Sequence, residues 1–174
     1  MKTLVTLPKL KELLSAFEKA NVAYMVIAGF GLDGLRGHQT RPHQDVDIIC
    51  LKKDAEKIEK VSTDLGYAGE WFQDLYKIKR KDGSKADLPM ATEEGDEFVI
   101  YGNLAITRFH KSLFKPQTGK IDDLKFKIAP NELLKTYALH ATKGEDKAYA
   151  DTIQVDEKLI KKIRRVLRTQ PQTE

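Results

Sequence analysis

A largely apolar run, Ala23-Tyr24-Met25-Val26-Ile27, passes through Ala28 straight into Gly29-Phe30-Gly31, and a second run, Asp45-Val46-Asp47-Ile48-Ile49, follows shortly after. The first run reads as a buried strand and the glycines as a turn into a helix. In the second run acids and apolar residues alternate with a period of two, so it is strand-like as well. Residues two apart on a strand share a face, with Cα atoms about 6–7 Å apart. Asp45 and Asp47 can therefore close on one divalent cation while Val46 and Ile48 enter the core. A strand, a glycine turn and a helix start offer backbone N–H groups and the positive end of a helix dipole, which suits a phosphate. A phosphate cradle beside a carboxylate pair is what nucleotidyl transfer needs.

The stretch resembles the signature of the DNA polymerase β-like nucleotidyltransferase superfamily, a glycine turn followed by acid-apolar-acid. Within it, the branch of aminoglycoside 2''-type and lincosamide nucleotidyltransferases fits best. The residues that carry the likeness are Ala28, Gly29, Phe30, Leu32 and Asp33, then Gly37, Thr40, Arg41 and His43, then Asp45 and Asp47. Two departures stand out: Ala28 replaces a glycine, and Phe30 a tryptophan. An alanine there argues against a backbone with positive φ at that point. The likeness weakens toward Pro89 and is faint beyond. A K-D-x-x-D pattern of the relatives is met near the end only by Lys147 and Asp151, with Ala148 between them.

The rest of the chain agrees with an α/β fold in one domain. At 174 residues, with 41% hydrophobic and 32% charged residues, it can bury a core beneath a charged surface. No apolar run reaches the roughly 20 residues that span a bilayer, and the beginning has no signal-peptide pattern, so a cytoplasmic protein is expected. The single Cys50 rules out an intramolecular disulfide. A net charge of +4 permits an anionic ligand and gives little reason to expect nucleic acid.

In chain order, 8–20 is an amphipathic helix with Pro8 in its first turn. Residues 32–36 form a short helix closed by Gly37, and 54–65 a helix stopped by Gly66. A hairpin is expected from 71–80 and 85–90 around Lys81-Asp82-Gly83, then an acidic loop from Glu93 to Glu97, a strand at 98–101 and another at 121–128. Helices are expected at 132–143, 146–154 and 156–168, the last with a basic face. The fold expectation is a mixed-sheet nucleotidyltransferase core over 1–129, flanked by helices, and a helical C-terminal region over 130–174 packed on that core.

The resemblance implies two Mg²⁺ ions, replaceable by Mn²⁺, with Asp45, Asp47 and Asp87 as metal ligands and catalytic carboxylates. Asp87 is carried over because a third acid of the family sits on a neighbouring strand. Gly29, Phe30 and Gly31 would hold the triphosphate of ATP or another nucleoside triphosphate. Thr40, Arg41 and His43 would approach the same nucleotide, Arg41 alternatively neutralising the acid cluster. Asp33 reads as a solvated or capping acid, and His110 and His140 as structural or surface residues. The function implied is transfer of a nucleoside monophosphate to a hydroxyl of a small acceptor. A toxin-like enzyme acting on tRNA or protein, supported by the basic terminal helix, and a non-catalytic nucleotide-binding module are the alternatives. A homodimer is one way for so short a chain to complete its acceptor cleft.

Overall fold

The computed structural model describes residues 4–102, 104–141 and 144–168. The first half of the chain supplies α1 (Leu7–Lys19), β1 (Tyr24–Ile27), α2 (Ala28–Arg36), β2 (Val46–Leu51), α3 (Ala55–Asp64), β3 (Tyr67–Phe72), β4 (Leu75–Arg80) and β5 (Lys85–Glu94). The second half adds β6 (Glu97–Tyr101), β7 (Ala105–His110), β8 (Gln117–Ile121), β9 (Leu124–Ile128), α4 (Asn131–Leu139), α5 (Gly144–Ala150), α6 (Glu157–Ile160) and β10 (Ile163–Leu167).

All ten strands join one mixed sheet in the order β10-β7-β6-β5-β2-β1-β9-β8, with the β3-β4 hairpin attached to β5. β2 pairs parallel with β5, and β1 parallel with β9; the other pairs are antiparallel. β1 is buried along its whole length and β2 everywhere except Asp47. That is why both read as continuous apolar runs: strands covered on both faces have no solvent side to alternate toward. Helix α1 buries Leu10, Leu13, Leu14 and Phe17 and packs against α3. Helices α2 and α4 pack on each other and on β1. Val46 and Ile48 lie in the core as their spacing predicts, and Cys50 is a buried free thiol. None of the described helices is long and apolar enough to cross a membrane.

Four segments differ from the sequence expectation. The run over 156–168 is not one helix: Asp156 caps a single short helix, and Ile163–Leu167 pairs with β7 as an edge strand. The β-branched Ile163 and Val166 favour a strand, and the open edge of β7 supplies the partner that helical periodicity could not reveal. The acidic segment is no loop either, because β5 runs to Glu94 and turns through Gly95, at φ 62°, into β6. The single strand at 121–128 is a hairpin folded at Asp122, which sits at φ 51°. Trp71 belongs to β3, whose hairpin with β4 turns at Gln73, φ 56°. The turns at Gln73 and Asp122 use non-glycine residues in the left-handed region, so the usual glycine signal is missing there.

Helix α2 sits tightly under α4. A Cβ on Gly31 would lie 2.8 Å from Leu134 Cδ2 and 3.0 Å from the Val26 carbonyl oxygen. Gly31→Ala is therefore expected to be tolerated better, by about 1 kcal/mol, in a Leu134→Ala background than in the wild type. Denaturant unfolding of the two single variants and the double variant measures this coupling; simple additivity would rule out the close approach.

Candidate active site

The carboxylates meet where β2, β5 and the start of α2 converge. In the register of the sheet Asp47 is the partner of Asp87 on one side and of Ile27, the last residue of β1, on the other. Strands in a ladder lie about 4.8 Å apart, so the two acids stand side by side on one surface. Asp45 lies one residue ahead of β2 and is exposed, so it approaches from the loop rather than from the strand. Burial, reinforced by the charges of Asp45 and Asp87, pushes the Asp47 carboxyl up to about 7, against the opposing pull of Lys77. Lys77, the cross-strand partner of Asp87 on β4, holds that carboxylate at 3.3 Å.

The glycine turn is part of the helix. β1 passes into α2 with no intervening loop, and Ala28 makes the junction at φ 52°. The sequence argued against positive φ at an alanine; the structure corrects this, and the strain of order 1 kcal/mol falls beside Asp47. No side chain caps α2. The N–H groups of Ala28, Gly29 and Phe30 open the helix, where intrahelical acceptors are lacking. The Phe30 side chain is buried against His43, with ring centroids 4.4 Å apart. Gly29 has no room for a side chain, since a Cβ would come 2.5 Å from the His43 ring.

Thr40, Arg41 and His43 are held by protein groups. His43 Nε2 lies 2.6 Å from Asp33 Oδ2, and its Nδ1 lies 3.2 Å from Arg41 Nη1. A guanidinium can only donate, so Nδ1 accepts and Nε2–H donates to Asp33. The Thr40 hydroxyl donates to Asp33 Oδ1 at 2.6 Å, and Arg41 Nη2 donates to Asp146 Oδ2 on α5 at 2.9 Å. Arg36, which reaches Asp33 at 3.4 Å, lies over the Tyr149 ring of α5 at 3.7 Å. Asp33, expected as a solvated or capping acid, is instead fully buried at the centre of this network. Burial, the largest influence, raises its pKa, but the hydrogen bonds from His43 and Thr40 outweigh it and the net shift is downward. Arg41 pairs with Asp146 and not with the Asp45–Asp47 cluster. Lys147 and Asp151 are exposed, and the neighbouring Asp146 is the residue engaged. Only a three-dimensional contact identifies it, because its partner is so remote in the chain.

Two clefts flank the acids. One is lined by Ala28, Gly29, Arg41, His43, Asp45 and Asp47, and α5 contributes Glu145 and Asp146. The other is lined by Ala28, Asp47 and Asp87 together with Lys77, Thr107, Arg165 and a larger set of apolar side chains. Among the described residues no three His, Cys, Asp or Glu side chains are gathered as a closed metal site. The donor set still fits Mg²⁺, which takes one or two carboxylates and completes its shell with substrate phosphates and water. The repulsion that raises Asp47 is what a divalent cation would relieve. His110 and His140 are remote from these clefts, His110 beside Ser112 and His140 on the Thr136 carbonyl of α4.

The direction of each shift has a measurable consequence. Because Asp47 binds its proton more tightly folded than unfolded, stability without divalent cation falls as pH rises from about 4 to about 7, and stays low above that. Asp47→Asn should remove this loss and unfold at a higher temperature than wild type at pH 8; equal pH profiles by calorimetry would exclude the buried charge cluster. Asp33 behaves oppositely, since its contribution is present above the ordinary carboxylate range and is lost on acidification. Asp33→Asn is expected to cost roughly 2–3 kcal/mol at neutral pH, measured by denaturant unfolding, with Asp151→Asn near neutral as the control.

The sequence profile of the aminoglycoside-2''-adenylyltransferase family matches residues 9–155. A lincosamide resistance protein of Staphylococcus haemolyticus is 31% identical over 101 residues, which cover 57% of this chain and 63% of that protein. The chain thus spans less than two thirds of that relative's length. In fold it is similar to a lincomycin-bound lincosamide adenylyltransferase, with a TM-score of 0.66 at 22% identity over 87% of this chain and 99% of the other. It is similar also to ANT(2'')-Ia in complex with adenylyl-2''-tobramycin, with a TM-score of 0.61 at 15% identity over 83% and 84% of the two chains. The likeness confirms the mixed-sheet nucleotidyltransferase fold with its flanking helices. With most of its length matched by that profile, the chain belongs to the aminoglycoside-2''-adenylyltransferase family.

Proposed function

We propose that this protein is a metal-dependent nucleotidyltransferase that moves AMP from ATP to a hydroxyl of a small molecule. The observation that carries the reading is the parallel register of β2 and β5, which sets Asp47 beside Asp87 at the mouth of α2. Asp45, Asp47 and Asp87 would hold the divalent cation, which when bound supplies charge neutralisation at the reacting phosphate and a more acidic acceptor hydroxyl. The backbone N–H groups that open α2 at Ala28, Gly29 and Phe30 would face the nucleotide phosphates, while Gly31 serves the packing under Leu134. Arg41 lines this cleft, with Nη1 on His43 and Nη2 on Asp146, and from there would present its positive charge to the nucleotide phosphates. His43 and Thr40 act through position, locking Arg41 and the α2 entrance to Asp33. Asp87 would take the proton from the attacking hydroxyl, and Lys77 beside it would tune that carboxylate.

The solved relatives named above carry lincomycin in one case and an adenylylated tobramycin in the other. Antibiotics of those classes are therefore acceptors to test, along with other hydroxylated small molecules. The case for a tRNA or protein acceptor loses its basic helix, since that segment is a short helix and an edge strand.

Thermal unfolding of wild type and Asp45→Asn against ATP, GTP, CTP and UTP, each with Mg²⁺ or Mn²⁺, tests the reading. A nucleotide at about 100 times its dissociation constant adds roughly 2.7 kcal/mol to the stability. A metal-dependent shift with ATP that disappears in Asp45→Asn is expected; no shift with any nucleotide would count against nucleotidyl transfer.

A further inference from the structure

The second cleft has a volume of about 540 Å³, within the usual range for a small-molecule site. Its lining combines Asp47, Asp87 and Lys77 with apolar side chains such as Leu75, Pro89 and Ile100. Arg165 also lines it, from β10, a strand separated from β2 in the sheet order by β7, β6 and β5. Residues of β2 and β10 thus border one space although three strands separate them in the sheet. Arg165 is half-buried, lies over the Tyr137 ring at 4.5 Å, and donates from Nη1 to the Thr107 hydroxyl at 2.8 Å. Among the described residues no carboxylate lies within ion-pair distance of it, and its Nε is buried without a partner. The other arginines of the described sheet are differently placed: Arg80 pairs with Glu12 and Asp82, Arg108 with Glu94, and Arg164 with Glu97. A guanidinium that lines a cleft with no carboxylate partner leaves a positive charge for the occupant of that cleft to neutralise.

We infer that Arg165 reads an anionic group on the acceptor, which is a compact hydroxylated molecule with an apolar body and a carboxylate, not a polycationic aminosugar. This rests on the nucleotidyl-transfer reading, which assigns the phosphates to the α2 side of Asp47 and leaves this cleft to the acceptor. The acceptor hydroxyl then points to Asp87, its apolar body lies along Leu75 and Ile100, and its carboxylate meets Arg165. A polycation finds only Asp47 and Asp87 here, and those are committed to the reaction. Lys77 and Arg165 add positive charge to the same lining. Planar, bidentate recognition of a carboxylate is the use for which arginine outperforms lysine.

Three probes that share a benzyl alcohol and carry an anionic, a neutral or a cationic para substituent test the inference: para-hydroxymethylbenzoate, para-methylbenzyl alcohol and para-aminomethylbenzyl alcohol. Binding of each is measured by titration calorimetry to the protein with Mg²⁺ and a non-hydrolysable ATP analogue, with tobramycin as a polycationic comparator. The expected order is carboxylate tightest and amine weakest. In Arg165→Gln the advantage of the carboxylate over the methyl compound should shrink by roughly 10- to 100-fold, while affinity for the ATP analogue stays the same. Arg165→Lys should restore part of the preference. If the amine or tobramycin binds at least as well as the carboxylate, or none of the three probes binds, the inference is overturned. The wild-type order decides this even if Arg165→Gln does not fold. Failure of the ATP analogue itself to bind would instead overturn the nucleotidyl-transfer reading.

Discussion

The register between β2 and β5 places two carboxylates next to each other at the centre of the sheet, and much of the surrounding architecture answers the repulsion that results. Burial and the neighbouring acids hold Asp47 near neutrality, and Lys77 on the next strand stands against Asp87. A fold that keeps mutually repelling acids half-buried loses stability there, and a bound divalent cation would return it. The junction of β1 with α2 adds to the same spot an alanine at positive φ. Strain and charge are thus stored together where chemistry is proposed, which is the usual location for both.

A buried polar chain keeps this strained site in place. Asp33 fastens Thr40 and His43, His43 accepts from Arg41, and Arg41 reaches Asp146 on α5. Its effect is to tie the entrance of α2, the loop before β2 and a helix from the far end of the chain into one unit. Such networks are stable when every member is satisfied and costly when one is removed. The residues that resemble nucleotide contacts by motif are here occupied with each other.

The central stretch was legible because its signals are local. Alternation of Asp45, Val46, Asp47 and Ile48, the apolar run before Gly29 and the stop at Gly37, which lies at φ 90°, all come from near neighbours along the chain. The C-terminal strand was not legible. Ile163–Leu167 carries both helical and strand character, and only the exposed edge of β7 decides between them. The hairpin at Gln73 and the turn at Asp122 escaped for a related reason, since their left-handed residues are not glycines.

From the sequence alone came the α/β class, the carboxylate pair and the glycine-marked entry to α2, because period, propensity and motif spacing act over a few residues; Asp87 came only through the resemblance to a family. The tertiary structure decided that Asp33 is buried beneath His43, that Arg41 belongs to Asp146, and that Arg165 faces the same cleft as Asp87. These pairings join positions far apart in the chain. Their free energy depends on burial and on which strand edges meet, quantities that exist only once the sheet has closed.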